Sequence, residues 1–141
     1  MREARTPGGA ELLRALVPSG DSQEVARRQQ LLGEVHGALN EGVQAWPLDG
    51  VHDLRPWLIR SRVAGSHLEP LELRRVAETL AVCTAMRRFL DTHAARLPLL
   101  HARAKLLGAH TGLASAIEHA VLENGEIALR VIRACRELGI G

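Results

Sequence analysis

Residues 70–90 read PLELRRVAETLAVCTAMRRFL, and this stretch decides the fold class. Leu73, Val76, Leu80, Cys83 and Leu90 return at the three-to-four-residue spacing that lines one face of a helix. Pro70 sits in the first turn, where its missing N–H costs no hydrogen bond. The spacing predicts a helix to about Ala94, longer than any other in the chain, with Leu80 on its buried stripe.

Working outward, the same helical period recurs on both sides. A first helix is expected from about Gly9 to Val17, with Leu12, Leu13 and Leu16 on one face, broken by Pro18-Ser19-Gly20. Asp21 and Glu24 have the spacing of a helix cap and its capping-box partner. They open a second helix to about Leu39, striped by Val25, Leu32, Val35 and Leu39. Asn40 to Gly50 reads as a loop anchored by Trp46. Asp53 is expected to cap a short helix through Trp57, Leu58 and Ile59, with Gly65 as its left-handed closing residue. Beyond the long helix, Pro98 to Gly108 and Thr111 to Leu122 are expected helical. Asn124-Gly125 marks a turn, and Ile127 to Leu138 forms the last helix. About seven helices with no strand predict an all-α, orthogonal or bundle-like single domain over residues 1–141.

Composition agrees. Hydrophobic residues are 46% and charged residues 24% of 141, the proportions of a globular chain, and the apolar content is mostly Leu and Ala, with one Phe, two Trp and no Tyr. Strands ordinarily draw on more β-branched and aromatic residues. Net charge is +2, too small to drive the chain onto nucleic acid or membrane by its field alone. Lys105 is the sole lysine among eighteen basic residues, a bias that either phosphate recognition or a GC-rich genome produces. Cys83 and Cys135 form no CxxC pair. No apolar run approaches the ~18 residues of a membrane span, and the charged, Pro-Gly-Gly-bearing start does not read as a signal peptide. A cytoplasmic location and no membrane partner are expected.

The search for chemistry finds little. Lys105 stands between Ala104 and Leu106, outside any phosphate-binding GK[ST] loop. No pair of the seven histidines is spaced to put two ligands on one helix face, and no GxSxG elbow occurs. Cys83 falls on the apolar stripe, a core position before a nucleophilic one. No catalytic residue, metal ligand or cofactor is therefore expected. The arginines are more suggestive. They pair at Arg27-Arg28, Arg60/Arg62, Arg74-Arg75 and Arg87-Arg88. Arg130, Arg133 and Arg136, at i, i+3 and i+6, share one face of the last helix. That face suits weak, sequence-independent phosphate contact. It equally suits a solvated flank, since Glu126 stands four residues before Arg130.

Several short motifs, taken in order, resemble a known family. Thr6-Pro7-Gly8-Gly9, Leu12-Leu13, Pro18 and Asp21, then Arg28-Gln29 and Val51-His52-Asp53-Leu54-Arg55-Pro56, are similar to the opening of the core domain of MutS proteins. Asp53-Leu54-Arg55-Pro56, the gap from Gly65 to Leu68 and the helix start from Pro70 to Leu73 resemble the shorter, second type of MutS. Phe89-Leu90, Leu97-Pro98-Leu99-Leu100 and Asn124-Gly125-Glu126-Ile127 fit the same branch. The resemblance covers nearly the whole chain. It implies a helical region that links an ATPase to a DNA-enclosing clamp and transmits nucleotide state without doing chemistry. Two departures stand out: no Ser-rich insertion follows Ile127, and the sequence ends at Gly141 before any clamp, return lever or ATPase. The expected function is a non-catalytic scaffold or connector in DNA repair or recombination. Its expected partners are a MutS-type ATPase chain or further copies of itself, with weak non-specific DNA contact. A helical protein adaptor that never touches DNA, and a small enzyme whose residues converge only in space, are the other readings.

Overall fold

A computed structural model describes residues 4–108, 110–122, 126, 127, 131, 133 and 137. It is all-helical. Six helices are formed among these residues: α1 (Pro7–Arg14), α2 (Ser22–Asn40), α3 (Arg55–Ser61), α4 (Pro70–Thr92), α5 (Pro98–Ala104) and α6 (Thr111–Ala120). The seventh, expected over Ile127 to Leu138, falls largely outside the described residues. Val131, Arg133 and Glu137 have helical backbone, whereas Ile127 forms an isolated antiparallel bridge with Val121 and so does not begin a helix.

The ends of the helices follow from local chemistry. Thr6 caps α1, its Oγ1 accepting from Gly9 N at 3.1 Å. A Cβ on Gly9 would lie 2.8 Å from that oxygen, so the cap requires glycine there. Asp21 caps α2 through Gln23 N at 2.9 Å and Glu24 N at 3.4 Å. The capping box is not closed: the Asp21 N–H donates to Ser19 Oγ, and Glu24 is held by two arginines instead. The reciprocal bond expected there forms on α4, where Glu72 accepts from Glu69 N at 2.8 Å. Asp53 accepts from Arg55 N at 3.1 Å at the start of α3. That helix ends at Ser61, so Gly65, with φ +78°, closes the following turn and not the helix itself.

Contacts divide the chain into two compact units, residues 1–49 with 82–109 and residues 50–81 with 110–141. In the first, Ala38, Val43, Leu90, Leu97 and Ala104 are buried, with Trp46, Met86, Phe89 and Leu100 packed around them. Trp46 anchors the loop after α2 as expected. Its ring centroid lies 4.8 Å from that of Phe89, and its indole N–H donates to Val43 O. The inward side of α2 differs from the expected stripe. Leu32 and Leu39 are exposed, while Ala38 is buried and Leu31 and Val35 half-buried. Adjacent leucines at 31 and 32 leave the register open by one residue, and the small Ala38 permits the closer approach. Glu34, on the same inward side, reaches α5, accepting from Leu99 N at 2.8 Å and Leu100 N at 2.9 Å. It supplies the N-terminal cap that Leu97, with its apolar side chain, does not.

In the second unit Ala77, Ile117 and Val121 are buried, supported by Leu73, Val76 and Ala120. Leu80 is half-buried, not in the core, because the inward face of α4 here centres on Ala77 and Thr79. Thr79 accepts from His52 N at 3.0 Å and donates to Arg75 O, so its buried hydroxyl is satisfied. His52 Nε2 bonds Glu78 Oε2 at 2.7 Å, fixing the segment before α3 against α4.

Candidate nucleic-acid interface

Phosphate recognition requires guanidinium groups that are not already held by carboxylates. Among the described residues several arginines are so held. Glu24 takes both members of the first pair, with Arg27 Nε and Nη2 each at 2.8 Å and Arg28 Nε at 2.7 Å. Hydrogen bonds from Arg27, then Arg28, hold its carboxyl down at about 2 and raise the Arg27 pKa in turn. Arg55 forms a fork on Asp53, whose pKa falls to about 2 through the Arg55 side chain first and its backbone N–H second. Arg60 pairs with Glu72, Arg5 with Asp49 and Arg96 with Glu41, while Arg74 lies 3.7 Å from Glu78. Each of these ion pairs has at least one exposed partner and is individually weak, while Glu24, Glu72 and Arg74 are half-buried.

Of the three arginines expected to share one face, Arg133 is exposed on helical backbone. Arg130 and Arg136 lie outside the described residues. The signal that would separate paired from unpaired arginines, the position of the carboxylates in space, is not in the sequence. Glu24 to Arg28 is legible as an i,i+4 pair, but Arg60–Glu72 and Arg96–Glu41 join different elements.

Three of the concavities in the described surface are lined mainly by apolar side chains, and one of them adds His67 and Glu69, whose Nε2 and Oε1 lie 3.6 Å apart. Leu16, Val17, Val25, Arg28 and Gln29 border one of about 520 Å³. Trp46, Met86, Leu90, Leu100 and Leu107 line a second of about 460 Å³, where Arg103 is the one charged residue. The third, about 350 Å³, lies between the start of α4 and the residues after α6. The groups with strongly shifted pKa, Glu24 and Asp53, line none of them, and arginine hydrogen bonds account for both shifts. Cys83 is half-buried, while Cys135 lies outside the described residues. Among the described residues no three His, Cys, Asp or Glu side chains stand close enough to share a metal ion. No helix described is long and apolar enough to cross a membrane.

Neither a protein-family profile nor a solved structure matches the chain. Curated proteins do. Endonuclease MutS2 of Symbiobacterium thermophilum is 40% identical over 119 residues, 84% of this chain and 15% of that protein. Endonuclease MutS2 of Geobacillus kaustophilus is 40% identical over 87 residues, 62% of this chain and 11% of the relative. The Bacillus mycoides protein of the same name is 28% identical over 122 residues, again 84% and 15%. This is a MutS-family domain of the shorter, MutS2 branch. The resemblance carried by the Asp53-to-Pro56 and Leu97-to-Leu100 motifs is thus met by similarity along most of the chain. The chain spans only 11–15% of the length of the MutS2 relatives it matches.

Proposed function

We propose that this MutS2-type domain is a helical scaffold or connector in DNA repair or recombination and performs no chemistry of its own. The observation that carries the reading is the 40% identity to a MutS2 protein over 119 residues, within an all-helical fold. The way the chain uses its polar groups supports it. Glu34 caps a helix, Glu72 caps another, and Glu24, Asp53 and Glu78 bind arginine or histidine. Carboxylates so engaged hold helices together instead of converging on a reacting atom. The endonuclease activity for which the relatives are named would then reside in the portion of their length outside the match. A MutS-type ATPase chain, or other copies of this chain, would be the partner, in the cytoplasm, and no cofactor is needed here.

Any DNA contact would run through Arg130, Arg133 and Arg136 and be weak and indifferent to sequence, because guanidinium–phosphate contacts position a protein without reading bases. Titrating labelled duplex and branched DNA at low salt tests this. Three neutralised phosphates give a logarithmic salt slope of about −3, and replacing the three arginines with alanine flattens it. Absence of binding to either DNA removes the contact from the proposal. Hydrolysis of ATP or cleavage of DNA by the purified chain overturns the scaffold reading itself.

A further inference from the structure

The second concavity sets one charged group beside an apolar lining. Trp46 from the loop after α2, Met86 and Leu90 from α4, and Leu107 beyond α5 line about 460 Å³, all within the first compact unit. The polar edge of Trp46 is already engaged: its indole N–H donates to Val43 O, and its ring packs on Phe89. Trp46 therefore presents a ring and no donor. Met86 adds a side chain that adapts to the shape of what it meets. Arg103 is the one charged residue described in the lining, and it is exposed. No carboxylate among the described residues pairs with it. Glu34, Glu41 and Asp91 of the same unit are taken by the α5 N–H groups, Arg96 and His101.

We propose that this concavity binds a small amphiphilic carboxylate, its hydrocarbon body on Trp46, Met86 and Leu90 and its head on Arg103. An apolar lining with one convergent polar group is the usual form of a small-ligand site, and it sets both the body and the end of the ligand. The planar guanidinium fork matches a carboxylate, whereas a cationic amphiphile would meet like charge. The described lining holds no hydroxyl, amide or carboxyl side chain to read a sugar or a base. Size sets the chain length. At about 30 Å³ for each water-sized group, 460 Å³ takes roughly ten to fifteen such groups, the bulk of a medium-chain acyl or aryl acid.

Contact quenching of Trp46 tests the site. In the full chain carrying Trp57→Phe, Trp46 is the one tryptophan, and ω-bromodecanoate carries a quenching heavy atom at the end of its tail. Titrated to about 1 mM, it is expected to quench Trp46 saturably, with a Kd of about 0.1 mM. ω-Bromodecanol has the same tail and a neutral head, and should bind about five-fold more weakly, the factor an exposed guanidinium adds. Arg103→Gln should bring the carboxylate down to the level of the alcohol and leave the alcohol unchanged. Arg103→Glu should weaken the carboxylate further. Both variants should fold, because Arg103 is exposed. Leu106→Asp, at a lining position 84% exposed, should weaken both ligands. Absence of saturable quenching at about 1 mM overturns the proposal. So does equal binding of acid and alcohol by the wild type, the behaviour of an apolar surface that a protein partner covers, and so does an Arg103→Gln variant that binds the acid as the wild type does. The connector reading stands under any of these results, since it uses none of these residues.

Discussion

The two compact units are held together by different means. The unit of α1, α2, α5 and the second part of α4 buries Leu97 completely. It adds a chain of rings, with Trp46 4.8 Å from Phe89 and Phe89 4.7 Å from His93, and a carboxylate that caps α5 from 65 residues away. The unit of α3, α6 and the first part of α4 relies on small and branched aliphatics, Ala77, Ile117 and Val121, with one buried threonine bonded on both sides. Large side chains and charge-assisted caps concentrate stability at a few positions, whereas small side chains spread it over backbone proximity. Substitutions in the first unit should therefore have the sharper effects.

The largest expected effect is at Leu97. Leu97→Ala empties a fully enclosed site and should cost about 4 kcal/mol, against about 2–3 kcal/mol for Ile117→Ala in the other unit, both by urea denaturation. Leu80→Ala, half-buried, should fall below either. Equal losses at Leu97 and Ile117 would erase the contrast between the units. Next comes Glu34→Ala, which strips two backbone N–H groups of their acceptor and should cost about 1–2 kcal/mol. Glu34→Gln keeps one acceptor oxygen and should lose less. If both variants match the wild type, the cap does not organise α5.

Acid offers a gentler test. Glu24 and Asp53 have folded-state pKa values lowered to about 2, so each carboxylate stabilises the fold above its unfolded value near 4. That contribution disappears as pH falls through about 2. Both groups are partly open to solvent, so the decline should be shallow. Glu24→Gln should flatten it for the first unit and Asp53→Asn for the second, read as thermal midpoint between pH 5 and pH 2. A steeper acid decline in Glu24→Gln would reverse the assigned sign.

The smallest effect expected is none at all. Trp46 lies in the first unit and Trp57 in the second, so single-tryptophan variants, Trp57→Phe and Trp46→Phe, report the units separately. If residues 1–141 act as one cooperative domain, as we propose, the two urea transitions coincide once each variant's own stability is allowed for. Separate transitions would make the contrast between units a division between domains.

Much of the architecture was legible because helical period and capping are local. Pro70, Pro98 and Asp21 marked their helix starts, and the 73–90 spacing announced α4. Register was harder, since Leu31 and Leu32 are both leucine and only packing decides which turns inward. Leu80 was misplaced for the same reason: the small Ala77 and the bonded Thr79, not the bulkiest residue, occupy the tightest contact. The cap from Glu34 to α5 and the pairing of Arg60 with Glu72 join separate elements and leave no trace in local spacing. The family was readable from ordered motifs.

The central claim, that this domain connects and does not catalyse, is tested most directly by exchange. The 119 residues matched in Symbiobacterium thermophilum MutS2 can be replaced by their counterparts from this chain, and nuclease activity of the chimera measured beside that of the isolated chain. The account predicts a folded chimera within several-fold of its parent and no cleavage by the chain alone. A folded chimera without activity, or cleavage by the isolated chain, would contradict it.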